Sequence, residues 1–287
     1  MTDVIVIGGA NMDVKAKSSA ANKLGTSNPG IVNVTAGGVG RNIAHNLARL
    51  GVSVALISVV GDDAQGAQLI HTTRKAGVDV SWVSKIGPAT GSYVAMLDCD
   101  GELLTAVNDM RAVDLVTPSM IAAHAEVIEQ ARFVVADCNL PIETLKVLAQ
   151  MVADRLVVEP VSVPKSRKLK MLLQSSPVFL ATPNLDQLEE LCGSRSIDEV
   201  AAQLHKMGLR NAVMHAGAEG AFVSGDGVGD HVPPQPVGSI VDVTGAGDAA
   251  VAGLVFGLLQ GHSLIDAAAL GQKLAGQVIA SAASTLE

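Results

Sequence analysis

The sequence predicts an α/β protein, a three-layer αβα arrangement around a mostly parallel sheet, with a small β-strand lid inserted into it. Three observations point there. Short β-branched runs alternate with helix-length segments, several of those segments end at a glycine, and two stretches break the alternation. The expected division is an α/β domain over residues 1–14, 36–91 and 111–287, and a lid over 15–35 and 92–110.

The elements follow in chain order. Residues 3–8 (DVIVIG) form a buried-strand run halted by Gly8 and Gly9. Residues 41–50 put Ile43, Leu47 and Leu50 on one helical face and stop at Gly51, a favourable residue just past a helix end. A strand at 53–60 and a helix at 65–76, closed by Gly77, come next. Further strands are expected at 132–137, 156–161, 178–181 and 211–215. Helices are expected at 142–152, 185–191, 197–207, 247–260 and 264–280. Strands joined through helices imply parallel crossovers with helices on both faces. The first odd stretch, 15–35, is polar and turn-rich, with β-type residues only near its end (IVNVT). The second, 92–110, alternates around Asp100-Gly101, a signal for a type I′ hairpin turn.

Composition narrows the function. Twenty Lys and Arg against 28 Asp and Glu give a net charge of −8, which disfavours a nucleic-acid polymer as partner. One Trp, one Tyr and four Phe are too few for a single-strand stacking platform. Cys99, Cys138 and Cys192 are odd in number and widely spaced, so each reads as a small buried hydrophobe in a reducing compartment. Asp3 stands where a signal peptide would carry a basic residue, and no long apolar run suggests a membrane span. A cytoplasmic protein is the expectation. The seven histidines show no H-x-x-x-H spacing, and the serines no G-x-S-x-G elbow. Residues 165–170 (KSRKLK) read as a solvated helix face.

Three segments carry chemistry. In VDVTGAGDAA (241–250), Gly245, Ala246 and Gly247 let backbone N–H groups converge on an anion at the positive end of the following helix. Asp248 lies in that helix's first turn. It suits either a helix-stabilising charge or a general base that deprotonates a hydroxyl attacking a phosphoryl group. The same residues also fit the dinucleotide pattern G-x-G-x-x-A, but no strand ending in an acid follows. In TAGGVGRNIAHN (35–46), Gly37 and Gly38 would allow close approach of a ligand, and Asn42 projects from the next helical turn. In GGANMD (8–13), at the end of the first strand, Asn11 and Asp13 suit either a turn or a grip on vicinal hydroxyls.

Together these segments resemble the ribokinase-like (PfkB) family of carbohydrate and nucleoside kinases over nearly the whole chain. Asn11-x-Asp13 and Gly37-Gly38…Asn42 are similar to the family's sugar-binding elements. Asp242-x-Thr244-Gly245-Ala246-Gly247-Asp248 is similar to its C-terminal signature. The resemblance implies ATP- and Mg²⁺-dependent phosphorylation of a hydroxymethyl group, with Asp248 as base and the backbone of residues 244–247 as the hole for the γ-phosphate. It implies nucleotide contacts at Asn184, His215, Gly217, Gly220 and Thr244, and a homodimer paired through the lids. It leaves a monovalent cation open. Ser27-Asn28-Pro29-Gly30, residues 36–44, Val107-Asn108-Asp109-Met110 and Val135-Ala136-Asp137-Cys138-Asn139 resemble the members acting on a C-nucleoside. They imply pseudouridine, phosphorylated on its 5′-hydroxyl. Asp13, Gly38, Asn42 and Asn139 would then hold the ribose, with Asn108 and Asp137 toward the base or lid. Asp137 reads equally as a cap of the next helix.

Three positions depart from the family pattern. Gln187 stands where Asn-x-x-Glu would place the glutamate tied to Mg²⁺, so no metal ligand is assigned. Glu159-Pro160-Val161 replaces Asp-Pro-Val, and His215 replaces a common Ser or Thr. The alternatives are a kinase for ribose, a hexose or an ordinary nucleoside, and a catalytically weak homologue that only binds such a ligand. With so few rings, recognition of a base would rest on hydrogen bonds and aliphatic packing.

Overall fold

The computed structural model describes residues 2–225, 228–281 and 283–286. Along the chain run β1 (Val4–Ile7), β2 (Asn11–Ser18), β3 (Gly30–Gly37), α1 (Val39–Arg49), β4 (Val54–Gly61), α2 (Ala64–Lys75), β5 (Val83–Gly87), β6 (Gly91–Leu97) and β7 (Leu103–Asp109). Then come α3 (Pro118–Ala123), α4 (Ala125–Gln130), β8 (Phe133–Asp137), α5 (Ile142–Val152), β9 (Leu156–Glu159), α6 (Val163–Leu173), β10 (Val178–Ala181), α7 (Leu185–Cys192) and α8 (Ile197–Lys206). The chain ends with β11 (Leu209–His215), β12 (Ala221–Gly225), β13 (Val228–Val232), α9 (Ala246–Leu259) and α10 (Leu264–Ile279).

One sheet has the order β13-β12-β11-β10-β9-β8-β1-β4-β5, parallel from β11 to β5, with an antiparallel hairpin at the β13 edge. Alternation along its strands splits the core in two. Ile5, Ile7, Val134, Ala136, Leu156 and Val158 pack with α3 to α8, whereas Val4, Val6, Val135 and Val157 pack with α1, α2, α9 and α10. Both faces are covered, which is why these strands read as unbroken apolar runs. This is the three-layer αβα arrangement that the alternation predicts. Among the described residues no helix is long and apolar enough to cross a membrane.

The second sheet, β3-β2-β6-β7, takes in most of the two stretches that broke the rhythm, but β2 starts at Asn11, ahead of the expected boundary at residue 15, β3 runs on to Gly37 and β6 starts at Gly91. β2 is polar at every other residue, so its sequence (NMDVKAKS) carries no apolar-run signal. The β6–β7 turn is not type I′. Asp98 N–H donates to Glu102 O, Gly101 N–H donates to Asp98 O, and only Gly101 has a positive φ, 96°. The Asp98 carboxylate accepts from the N–H groups of Asp100, Gly101 and Glu102, which favours a three-residue loop closed by a left-handed glycine. β5, α3, α4 and the β12–β13 hairpin carry no clear sequence pattern. Of the cysteines only Cys138 is buried; Cys99 and Cys192 are partly exposed, so the buried-hydrophobe reading holds for one of three.

Candidate active site

The carboxyl ends of β1, β8 and β9 meet the start of β2 and the N-termini of α1 and α9. Two glycine clusters that look alike in sequence have different surroundings there. At α1 the backbone is already spent on the chain itself. Gly40 N–H donates to Asp137 Oδ2 (2.8 Å), Arg41 N–H to Gly9 O (3.0 Å) and Asn42 N–H to Gly38 O (2.7 Å). A Cβ on Gly37 would overlap the Asp13 carboxylate, and one on Gly38, at φ 100°, would overlap the Gly9 carbonyl. The close approach these glycines permit here is by the β1–β2 turn and Asp13.

At α9 no side chain caps the helix, and Gly245 (φ 82°) turns the chain into it. Gly247 is exposed, and a Cβ there would meet nothing within 4 Å. This uncapped N-terminus facing open space is the arrangement that takes an anion from solution. Asp248, in its first turn, is 9% exposed. Its Oδ2 accepts from Asn42 Nδ2 at 2.8 Å. Burial raises its proton affinity well above the ordinary aspartate value. The Asn42 hydrogen bond opposes this, while the charges of Glu159, Asp137 and Asp13 add to it. A buried carboxylate with raised proton affinity, beside an anion-binding helix end, is suited to proton abstraction.

Asn11 Nδ2 donates to Asp13 Oδ1 (2.6 Å), and burial raises the Asp13 pKa. Asp13 pairs in register with Tyr93 on β6, and Tyr93 with Asn108 on β7, so the three side chains share one face of the second sheet. Asn108 is exposed there, and Tyr93 is the ring on that face. The remaining rings engage elsewhere: Trp82 against His124, Phe133 against Phe179, Phe222 against His231, and Phe256 on α9 against the core.

Asp137 spends its carboxylate on the chain itself. It is 1% exposed, and its two oxygens accept from the N–H groups of Gly9, Gly40 and Asn139. It clamps the β1–β2 turn to α1, a role that neither sequence reading described. Asn139 lies beside Gly9, and its Oδ1 accepts from Lys165 Nζ on α6. Residues 165–170 are therefore not simply a solvated face. Lys168 donates to the carbonyls of Asn139 and Leu140, and Lys170 to that of Leu191. Lys15 was also missed. It joins β2 to the α9 loop through Asp242 Oδ2 (2.6 Å) and Thr244 Oγ1 (2.9 Å). Its signal was only a lysine two residues after Asp13, on the same strand face.

Asn184, expected to contact the nucleotide, and Gln187, which stands where the resemblance would place a glutamate, form a reciprocal capping box at the start of α7. Each backbone N–H donates to the other's side-chain oxygen at 2.9 Å. Gln187 thus serves the helix end. Glu159 accepts from Thr182 Oγ1 and Val161 N–H, and burial pushes its carboxyl up to about 7. His215 sits at the end of β11 with Nδ1 3.4 Å from Gln272 Nε2; its Nε2 is buried without a protein partner, and burial pulls its pKa down to about 4. Gly217 faces open space, whereas Gly220 (φ 88°) packs against the Val232 carbonyl to start β12. Among the described residues no group of His, Cys, Asp and Glu has metal-cage geometry.

A parallel αβα sheet with an uncapped glycine-turn helix and an adjacent buried carboxylate defines a phosphotransferase with an alcohol group as acceptor. The family comparison agrees: the model for the pfkB family of carbohydrate kinases matches residues 1–286. The chain belongs to that family. It is 39% identical over 259 residues to a pseudouridine kinase of Escherichia coli (strain K12), covering 88% of this chain and 82% of the relative. A carbohydrate kinase from Agrobacterium tumefaciens superposes with TM-score 0.86 at 31% identity, over 99% of this chain and 93% of the other. A ribokinase from Thermotoga maritima shares the fold with TM-score 0.89 at 21% identity, over 99% and 95%.

Proposed function

We propose that this chain transfers the γ-phosphoryl group of ATP to the 5′-hydroxyl of pseudouridine. The observation that carries the chemistry is the buried Asp248 carboxylate at the open N-terminus of α9. Asp248 takes the hydroxyl proton as the oxygen attacks phosphorus, and ADP leaves. Charge developing on the transferred group is met by backbone N–H groups at residues 245–247 and by the helix dipole. The identity to the E. coli pseudouridine kinase supports the choice of nucleoside. The shared face of Asp13, Tyr93 and Asn108 supports it too, offering a carboxylate for ribose hydroxyls and an amide and a ring toward a base.

The second sheet acts as the lid. It excludes water that would otherwise hydrolyse the nucleotide, and Lys15 ties it to the anion loop. His215 offers a buried N–H toward the nucleotide, its charge held off by burial. Magnesium bound with ATP supplies neutralisation of the phosphates. Gln187 and Asn184 spend their oxygens on the α7 cap, and Glu159 accepts from Val161 N–H and Thr182 Oγ1, so the donor set would fit a metal carried by the phosphates and water.

The lid also supplies a homodimer surface. Its outer face carries Val34, Val94, Met96 and Val107, the last 69% exposed. Sedimentation should show a dimer that Val107→Glu converts to monomer; a native chain that sediments as a monomer contradicts this.

An ADP-release assay with ATP and pseudouridine, uridine, adenosine, ribose or fructose tests the substrate. The expected result is preferential turnover of pseudouridine. Selective turnover of ribose or fructose would defeat the nucleoside assignment, and saturable binding without turnover would make the chain a binding homologue.

A further inference from the structure

One buried group has no part in the chemistry above: the guanidinium of Arg41, which is 2% exposed on α1. Arginine can only donate, so each partner must accept. Nε donates to Thr73 Oγ1 (3.2 Å), and that hydroxyl passes its own proton to Leu69 O (2.8 Å). Nη1 donates to Ala36 O (3.2 Å) and to Asn42 Oδ1 (3.1 Å). Nη2 lies 3.0 Å from His45 Nδ1, which must therefore be the acceptor, leaving the ring proton on Nε2 to donate to Leu286 O (3.0 Å). Burial and the Arg41 charge pull the His45 pKa down to about 4, so the ring stays neutral and able to accept.

This network decides how Asn42 points. Its oxygen faces Arg41, so its NH₂ group faces Asp248 Oδ2 at 2.8 Å. The flipped amide would set donors against a guanidinium and an oxygen against a carboxylate. Leu286 N–H also donates to Asn46 Oδ1 (2.9 Å), which anchors the far end of the chain of bonds on α1.

We propose that Arg41 is a positioning residue for phosphoryl transfer, fixing the Asn42 amide so that it holds the Asp248 carboxylate in the orientation that takes the acceptor's proton. The proposal rests on the reading of Asp248 as the base. Electrostatics supports the geometry. Asp248 faces the carboxylates of Asp13 on β2, Asp137 on β8 and Glu159 on β9, all of which favour its protonated form. The opposing groups are both on α1: the Asn42 N–H and the Arg41 charge, which couples to Asp13 and Asp248.

The test is the pH profile of kcat, with nucleotide KM, for the native enzyme, Arg41→Met and Arg41→Lys. Folding of each variant is checked by circular dichroism. Arg41→Met is expected to lower kcat at pH 7 by about 10- to 100-fold and to move the acid limb up by roughly one pH unit, with nucleotide KM within about twofold. Arg41→Lys keeps the charge but not the fork, so kcat should fall while the limb stays near native. An activity-free readout accompanies these: the Asp248 carboxyl titration by ¹³C NMR, assigned with Asp248→Asn. The resonance should titrate at higher pH in Arg41→Met.

If Arg41→Met does not fold, His45→Leu, which removes one acceptor of the fork, decides by the same titration and should move it in the same direction. A folded Arg41→Met with native profile and native titration overturns the proposal, as does an unmoved titration in His45→Leu when that variant must decide. If Asp248→Asn keeps its turnover, the base reading fails; if it is inactive while Arg41→Met behaves as native, only the Arg41 proposal fails.

Discussion

Asp248→Asn is expected to lose roughly a thousandfold in turnover, the scale of a removed general base, while nucleoside affinity stays within a few-fold of native. Asparagine fits the same space and can still accept from Asn42, so the change is one of charge and proton affinity. It should also make the protein more stable at neutral and alkaline pH. The native carboxyl binds its proton more tightly folded than unfolded. Its stability contribution is therefore complete below the unfolded value and is lost as pH rises through the folded one. Asparagine carries no such loss. Melting curves should show the variant above the native protein at pH 8, with the gap closing toward pH 4. A near-native rate, or a gap that does not depend on pH, would contradict the assignment. Stability given up at a catalytic group in this way is a common trade.

The second large effect separates two glycines in the anion loop. Gly245→Ala meets both a left-handed backbone (φ 82°) and the Ser284 carbonyl, which a Cβ would overlap. The conformational cost is about 1–2 kcal/mol and the steric cost about 1–3 kcal/mol, so a drop in Tm of roughly 3–8 °C is expected. Gly247→Ala meets nothing within 4 Å and replaces a poor helix former by the best one, so Tm should hold or rise slightly. Its methyl group would nevertheless stand at the open helix end proposed to take the phosphoryl group. Turnover should fall while the fold is intact. Equal losses of Tm in the two variants would mean that both glycines serve the backbone and that neither faces a ligand.

That contrast shows where sequence reading reaches and where it stops. The parallel strands β1, β4 and β8 to β11 of the large sheet were legible because they are buried on both faces and the helices beside them bury one stripe each. The strands of the second sheet were less so, since Asp13, Lys15 and Lys17 on β2 interrupt any apolar run. The glycine-turn start of α9, with Asp248 in its first turn, was legible from small residues ahead of a helical run. The packing around the similar-looking Gly37-Gly38 pair was not legible, because only the fold brings Gly9 and Asp13 against it. Asp137 was read as a ligand contact or a cap, yet its three N–H donors come from residues 9, 40 and 139. Arg41 and Lys165 escaped notice for the same reason. Their partners are fixed by packing between elements far apart in the chain, and one arginine or lysine in a helix looks solvated until its neighbours are known. Gln187 was flagged correctly as a departure, but its part in the α7 cap depends on the backbone geometry at Asn184.

The central claim is transfer of a phosphoryl group to one particular hydroxyl by way of Asp248. The direct measurement is ³¹P NMR of the product formed from ATP and pseudouridine by the native enzyme and by Asp248→Asn. The expected spectrum from the native enzyme is ADP plus one phosphomonoester resonance, coupled to the two 5′ protons of the ribose, with almost none from the variant. A phosphomonoester coupled to a single ring proton, or equal product from both enzymes, would contradict it.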